Sequence, residues 1–140
     1  MDIKAFLEYI ASAEIRIKNK KAEIEQLYDL KSSIVDDLAV QTSGVSDKIG
    51  NIVDKILKEK EKALRMVETY IEEKTKRIAL IETLKNPLEY DVIHLHYVQG
   101  KQLTDIAIEK GYAESYIYEI HGKALKNLTK HMESQVENII

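Results

Sequence analysis

Apolar residues recur along most of this chain at intervals of three, four and seven, the spacing that lines one side of a helix. The first such run holds Ile3, Phe6, Leu7, Ile10, Ile17, Ile24, Leu27, Tyr28, Ile34, Val35 and Leu38, and predicts a helix from Ile3 to about Leu38. Its stripe thins over RIKNKKAE, Arg16 to Glu23, where a kink or a solvent-spanning section is expected. AVQTSGVSD then breaks the period with short polar residues and a glycine, which predicts a loop, with Ser46 or Asp47 able to cap the next helix. From about Asp47 to Lys85 the period returns at Ile49, Ile52, Val53, Ile56, Ala63, Leu64, Val67, Tyr70, Ile71, Ile78, Ile81 and Leu84. A helix over that run would be ~58 Å long at 1.5 Å per residue. Neither long helix can bury its stripe alone, so the pair is expected to fold back as a coiled-coil-like antiparallel hairpin or to pair in a dimer. Lys60 and Lys74 fall near the expected seam, where their aliphatic stems would have to serve.

The sharpest boundary is Asn86-Pro87-Leu88-Glu89. Asn86 suits an N-cap, Pro87 suits the first helical position, and Glu89 can reach back to complete a capping box. A third helix is predicted through Tyr90, Val92, Ile93, Leu95, His96, Tyr97 and Val98, ending at Gly100 in a left-handed conformation. Beyond it, LTDIAIEKGYAESYIYEIHGKALKNL places apolar residues at Leu103, Ile106, Ala107, then Ile117, Ile120, Ala124, Leu125 and Leu128, with Gly111 between the two runs. That is a helix-turn-helix pattern, whose second helix runs from Glu114 to Asn127. The expected fold class is therefore all-α: a long helical hairpin over residues 1–85, a trihelical helix-turn-helix module over 86–130, and a tail or helix extension over 131–140.

Composition narrows the function. One proline, five glycines and no cysteine favour helices and exclude disulfides and thiolate metal sites. The opening MDIKAFLEYIASAEIRIKNK carries charges throughout and lacks the apolar core of a signal peptide, and no stretch reads as a membrane span, so the expected location is the cytoplasm. Residues 1–85 hold 16 basic and 16 acidic side chains, and residues 86–140 hold 5 lysines against 8 acids, which accounts for the net charge of −3. A module that binds nucleic acid is usually basic, because neutralising phosphates supplies most non-specific affinity. That footprint is missing here.

His94 and His96 lie two apart on a predicted helix and point about 200° apart, which does not suit chelation. His96 is expected on the surface, and His121, one residue after Ile120, is expected either to reach a phosphate or simply to flank the core. No phosphate-cradling glycine loop, nucleophile elbow or isolated carboxylate pair is present, so no catalytic residue, metal or cofactor is expected. Five of the eight tyrosines follow residue 85. Tyr97 and Tyr112 read as core or turn packing with the hydroxyl reaching solvent, whereas Tyr118 must point outward from a helix whose inner face is Ile117, Ile120 and Ala124, with Tyr116 at its edge.

LHYVQGKQLTDIAIEKGYAESYIYEIHGKALKNL resembles region four of primary sigma factors, most closely at Leu103-Thr104-Asp105-Ile106-Ala107 and His121-Gly122-Lys123-Ala124-Leu125-Lys126-Asn127-Leu128. More widely, MDIKAFLEYI, VQTSGVSDKIGNIVDKI, HYVQGK and HGKAL look like small proteins encoded in prophages of Gram-positive bacteria, similar to the RinA and ArpU regulators of late phage genes. The resemblance implies a long helical N-terminal part, a sigma-like C-terminal module, a role in phage transcription and no catalytic residues. In the sigma pattern the recognition helix opens on a Ser or Thr cap and offers Arg, Glu, Arg and Gln to the DNA. This chain has Ala113 at the cap, Glu114, Ser115, Tyr118 and Glu119 at the groove-facing positions, and Gln102 before the first helix of the motif.

Two readings of function follow. In the first, the chain is a phage or prophage transcription regulator that binds promoter DNA: Ser115, Tyr118 and Glu119 face bases beside Glu114 and Tyr116, and Lys101, Thr104, Lys123 and Lys126 contact phosphates, while the long helices make a homodimer or contact RNA polymerase. In the second, the same core carries a protein-binding adaptor whose surface is Glu114, Tyr116, Tyr118 and Glu119, bound to RNA polymerase or another phage protein. The charge split favours the second reading and the motif favours the first. A purely structural helical protein of phage assembly is a third possibility.

Overall fold

The computed structural model describes residues 2–38 and 46–139, and those residues are all-α, with no strand among them. Helix α1 spans Ile3–Leu38 and α2 spans Ser46–Ile81; α3 spans Pro87–Ile93 and continues as a π-helical turn over His94–Val98; α4 spans Leu103–Lys110 and α5 spans Glu114–Ile139. α1 runs through Arg16–Glu23 without a break. Lys20 and Glu23 pair there at 2.8 Å, so the charged stretch is a solvent-facing piece of continuous helix. Most of the predicted loop at 39–47 lies outside the described residues. The two long helices pack together.

α2 stops four residues short of the predicted Lys85. Thr83 and Leu84 donate their amides to Leu80 and Ile81 at 3.0 and 3.1 Å, and the Thr83 hydroxyl donates to the Leu80 carbonyl at 2.6 Å, so the last carbonyls are satisfied by tighter i→i+3 bonds. The entry to α3 follows the sequence signal: Asn86 Oδ1 accepts from the amides of Leu88 and Glu89 at 2.9 and 3.2 Å, and Pro87 occupies the first turn. Glu89 departs from the expected capping box. Its side chain is buried, and its Oε1 accepts from Asn127 Nδ2 at 2.6 Å, tying the start of α3 to α5. A buried carboxyl needs a hydrogen-bond donor, and Asn127 supplies it from α5.

Two compact units divide the chain, one made of Met1–Ala13 and Glu72–Ile140, the other of Glu14–Ile71. In the first, Leu7 and Ile10 of α1, Leu80 and Ile81 of α2, Ile93 and Tyr97 of the third helix, and Ala124 and Leu128 of α5 form one core. A second cluster joins Val92, Leu103, Ile106, Ala107, Ile117 and Ile120. In the π turn Gln99 donates its amide five residues back to His94 at 3.1 Å; Ile93 and Tyr97, four residues apart on one side of the third helix, pack in one core, and Val92 and Leu95 on another side pack in the other. Arg77 clamps α1 within this unit: its Nε donates to the Phe6 carbonyl at 2.9 Å, its guanidinium lies 4.0 Å from the Tyr9 ring centroid, and Glu73 neutralises it at 2.9 Å. That ion pair also holds the Glu73 carboxyl below its usual range.

The second unit consists of the remaining lengths of α1 and α2. Arg16 lies over the Tyr70 ring at 6.0 Å and Lys60 over the Tyr28 ring at 5.5 Å, so contact positions rise along α1 as they fall along α2. Lys60 sits at the seam, as its sequence position suggests, with its stem half-buried. Among the described residues only Ile56 and Ala63 are buried apolar side chains in this unit. No helix of the described residues is long and apolar enough to cross a membrane.

Candidate functional site

Of the residues singled out for contact, Lys101 lies in the turn before α4, Thr104 lies on α4, and Glu114, Ser115, Tyr116, Tyr118, Glu119, Lys123 and Lys126 lie on α5. α4 ends on Gly111, whose φ of 73° is the left-handed conformation that glycine adopts without steric cost. Gly111 donates to Ile108 at 3.3 Å and Tyr112 donates to Ala107 at 3.0 Å, the paired bonds of a Schellman stop. Three residues later α5 begins, and Ala113 accepts from the amides of Tyr116 and Ile117. Ile117, Ile120, Ala124 and Leu128 are buried at the helical period, which turns the opposite side of α5 to solvent.

On that side Glu114, Ser115, Tyr118, Glu119, Lys123 and Lys126 are all exposed, spread over about half the circumference of α5 and about 18 Å of its length at 1.5 Å per residue, with Glu114 and Lys123 at the two edges. Tyr118 is 50% exposed, as its position demands. Tyr116 packs on Tyr112 with ring centroids 5.2 Å apart and the ring planes tilted by 47°. Thr104 is half-buried in the first turn of α4.

Two of the three lysines expected on phosphates already have carboxylate partners. Lys101 Nζ lies 2.9 and 3.0 Å from the Glu109 oxygens, and Lys123 Nζ lies 3.4 Å from Glu119. The Lys123 pair joins two of the predicted contact residues; Glu109 was not among those singled out. Lys110 pairs with Asp91 and so fixes the end of α4 to α3. Exposed pairs of this kind are worth about 0–1 kcal/mol, so an anion of higher charge density can displace them.

Sequence reasoning missed two features. Ile108 is 79% exposed on α4, an outward apolar side chain in addition to the exposed Tyr112, Tyr116 and Tyr118. The second is a polar cluster under α5. Tyr97 is buried and its hydroxyl lies 2.8 Å from His121 Nε2; His96, expected at the surface, is instead half-buried, with Nδ1 donating to the Lys101 carbonyl at 2.6 Å. The His96 and His121 rings meet edge to face at 5.6 Å. Burial, with Glu8 and Asp2 nearby, pushes the Tyr97 hydroxyl up to about 12, so it keeps its proton and donates to His121. Burial, the His96 ring and Lys4 push His121 down to about 4, so its imidazole is neutral and accepts. This cluster joins α1, the third helix and α5, and it anchors the α5 contact face to the core. Its link to α5 joins Tyr97 and His121 across 24 residues, and no local pattern announces it.

Comparisons of this chain with protein-family models, with curated proteins and with solved structures each find no match.

Proposed function

We propose that this chain is a transcription regulator of phage or prophage origin that engages promoter DNA through α4 and α5, read as a helix-turn-helix like that of sigma region four. The observation that carries the reading is the arrangement of α5. Its buried side is locked to α3 and α4, and its first half turns one continuous polar face to solvent beside a glycine stop. A helix presented in this way fits the ~12 Å width of a B-DNA major groove. Ser115, Tyr118 and Glu119 then address base edges, with Glu114 and Tyr116 beside them, and a glutamate accepts from cytosine N4. Lys101, Thr104, Lys123 and Lys126 address phosphates, the two paired lysines by exchanging Glu109 and Glu119 for the DNA backbone. In this reading α1 and α2 act as a coiled-coil-like hairpin that reaches RNA polymerase.

One observation favours a second reading. Paired lysines, a net −3 over residues 86–140, and the outward Ile108, Tyr112, Tyr116 and Tyr118 describe a surface suited to protein, so the same face would serve an adaptor on RNA polymerase or another phage protein.

Fluorescence anisotropy with late-promoter DNA across a salt series separates the two. The regulator gives sequence-selective binding that weakens as salt rises, and Lys126→Glu lowers affinity on all sequences. No binding at low salt, where electrostatic attraction is strongest, sinks direct DNA recognition by this chain and leaves the adaptor.

A further inference from the structure

The unit Glu14–Ile71 leaves a large apolar surface uncovered. Leu57, Leu64 and Ile71 are 40%, 44% and 47% exposed and recur every seven residues, so they form one straight stripe along α2, about 21 Å from end to end at 1.5 Å per residue. Their stripe is separate from Ile56 and Ala63, which face α1 and are buried. Tyr28 of α1 continues it: its exposed ring lies under Lys60, which stands one helical turn from both Leu57 and Leu64. Isolated exposed leucines are ordinary. A seven-residue repeat of them beside an aromatic is the surface of a helix that packs on another helix.

We infer that this stripe is the contact between two copies of this chain, packed in parallel along α2 to close a four-helix arrangement. Charge selects the occupant and its direction. Residues 14–71 hold 11 basic and 11 acidic side chains, so two copies meet without net repulsion. Along the stripe, Lys60 follows Leu57 by three residues on the edge nearer α1, whereas Glu61 and Glu68 follow Leu57 and Leu64 by four on the edge away from it. A parallel two-fold axis sets the Lys60 edge of one copy against the Glu61 edge of the other. An antiparallel pair would instead oppose Glu61 to Glu68 of the second copy, and like charges at such flanks select against that pairing.

The inference does not rest on DNA binding, and its test uses the full chain alone. Sedimentation of the wild type across a concentration series is expected to reach twice the 16.1 kDa chain mass, and Leu64→Glu is expected to return it to 16.1 kDa with unchanged helical circular dichroism. The chain has no cysteine, so Leu57→Cys carries the only thiol. In a parallel pair it oxidises to a covalent dimer, while Lys62→Cys, on the other side of α2, does not; this readout decides the matter even if Leu64→Glu loses helicity. A wild type that stays at 16.1 kDa at every concentration overturns the inference. So does a dimer that survives Leu64→Glu with its helicity intact, or a Leu57→Cys chain that cross-links only when mixed with an Ile71→Cys chain, the signature of the antiparallel pair.

Discussion

At the scale of single residues, the Tyr97 and His121 pair couples the fold to pH. His121 is neutral in the folded chain because burial, His96 and Lys4 all disfavour its charged form, bringing it from 6.5 to about 4. A base depressed in the folded state binds its proton more readily when unfolded, so its contribution to stability is complete above pH 6.5 and is lost as pH falls toward 4. Protonation would also remove the lone pair that accepts from Tyr97. With allowance for partial exposure, the wild type should lose on the order of 1–2 kcal/mol more than His121→Gln between pH 7.5 and 4.5 in urea unfolding. Parallel pH profiles for the two chains would refute this assignment.

At the scale of elements, the stop between α4 and α5 sets where the contact face points. A Cβ on Gly111 would meet nothing within 4 Å, so Gly111→Ala carries backbone strain at φ 73° and no clash. The expected cost is about 1 kcal/mol in thermal or urea unfolding. A loss well beyond that would mean the turn has a packing role that the geometry does not contain. This part of the molecule was largely legible in the residues: Gly100 and Gly111 both adopt positive φ, Asn86 and Pro87 open α3, and Ile117, Ile120, Ala124 and Leu128 line the inner side of α5. Each of those is a local property of the backbone or of the helical period. The π turn at His94–Val98 was not legible, because its one longer hydrogen bond leaves no mark on the apolar period. α5 continues past Asn127 through Ile139, so of the two alternatives for the last residues, tail or helix extension, the described ones take the extension.

At the scale of the whole molecule, the N-terminal turns of α1 are part of the core that carries α5. Leu7 is fully buried against a cluster that includes Ala124 and Leu128. Leu7→Ala should therefore cost about 2–5 kcal/mol, as large-to-small changes in such cores do. Its effect should reach across the chain, accelerating amide hydrogen exchange in α5 around Ala124–Leu128 as well as in α1. Exchange that quickens in α1 alone would show that the two segments unfold separately.

The sequence by itself determined the all-α class, most helix starts and stops, and which side of each helix is apolar. Helix hydrogen bonds, caps and positive-φ glycines are settled within a few residues of one another, so a linear reading reaches them. Only the tertiary structure decided what each apolar side meets. Periodicity says that Leu7 and Ile10 are buried but not that Ala124 and Leu128 help to bury them, and it places Lys101 and Lys123 on the surface without revealing that Glu109 and Glu119 hold them. The same holds for Leu57, Leu64 and Ile71, whose period marks an apolar stripe and whose exposure shows that α1 does not cover it.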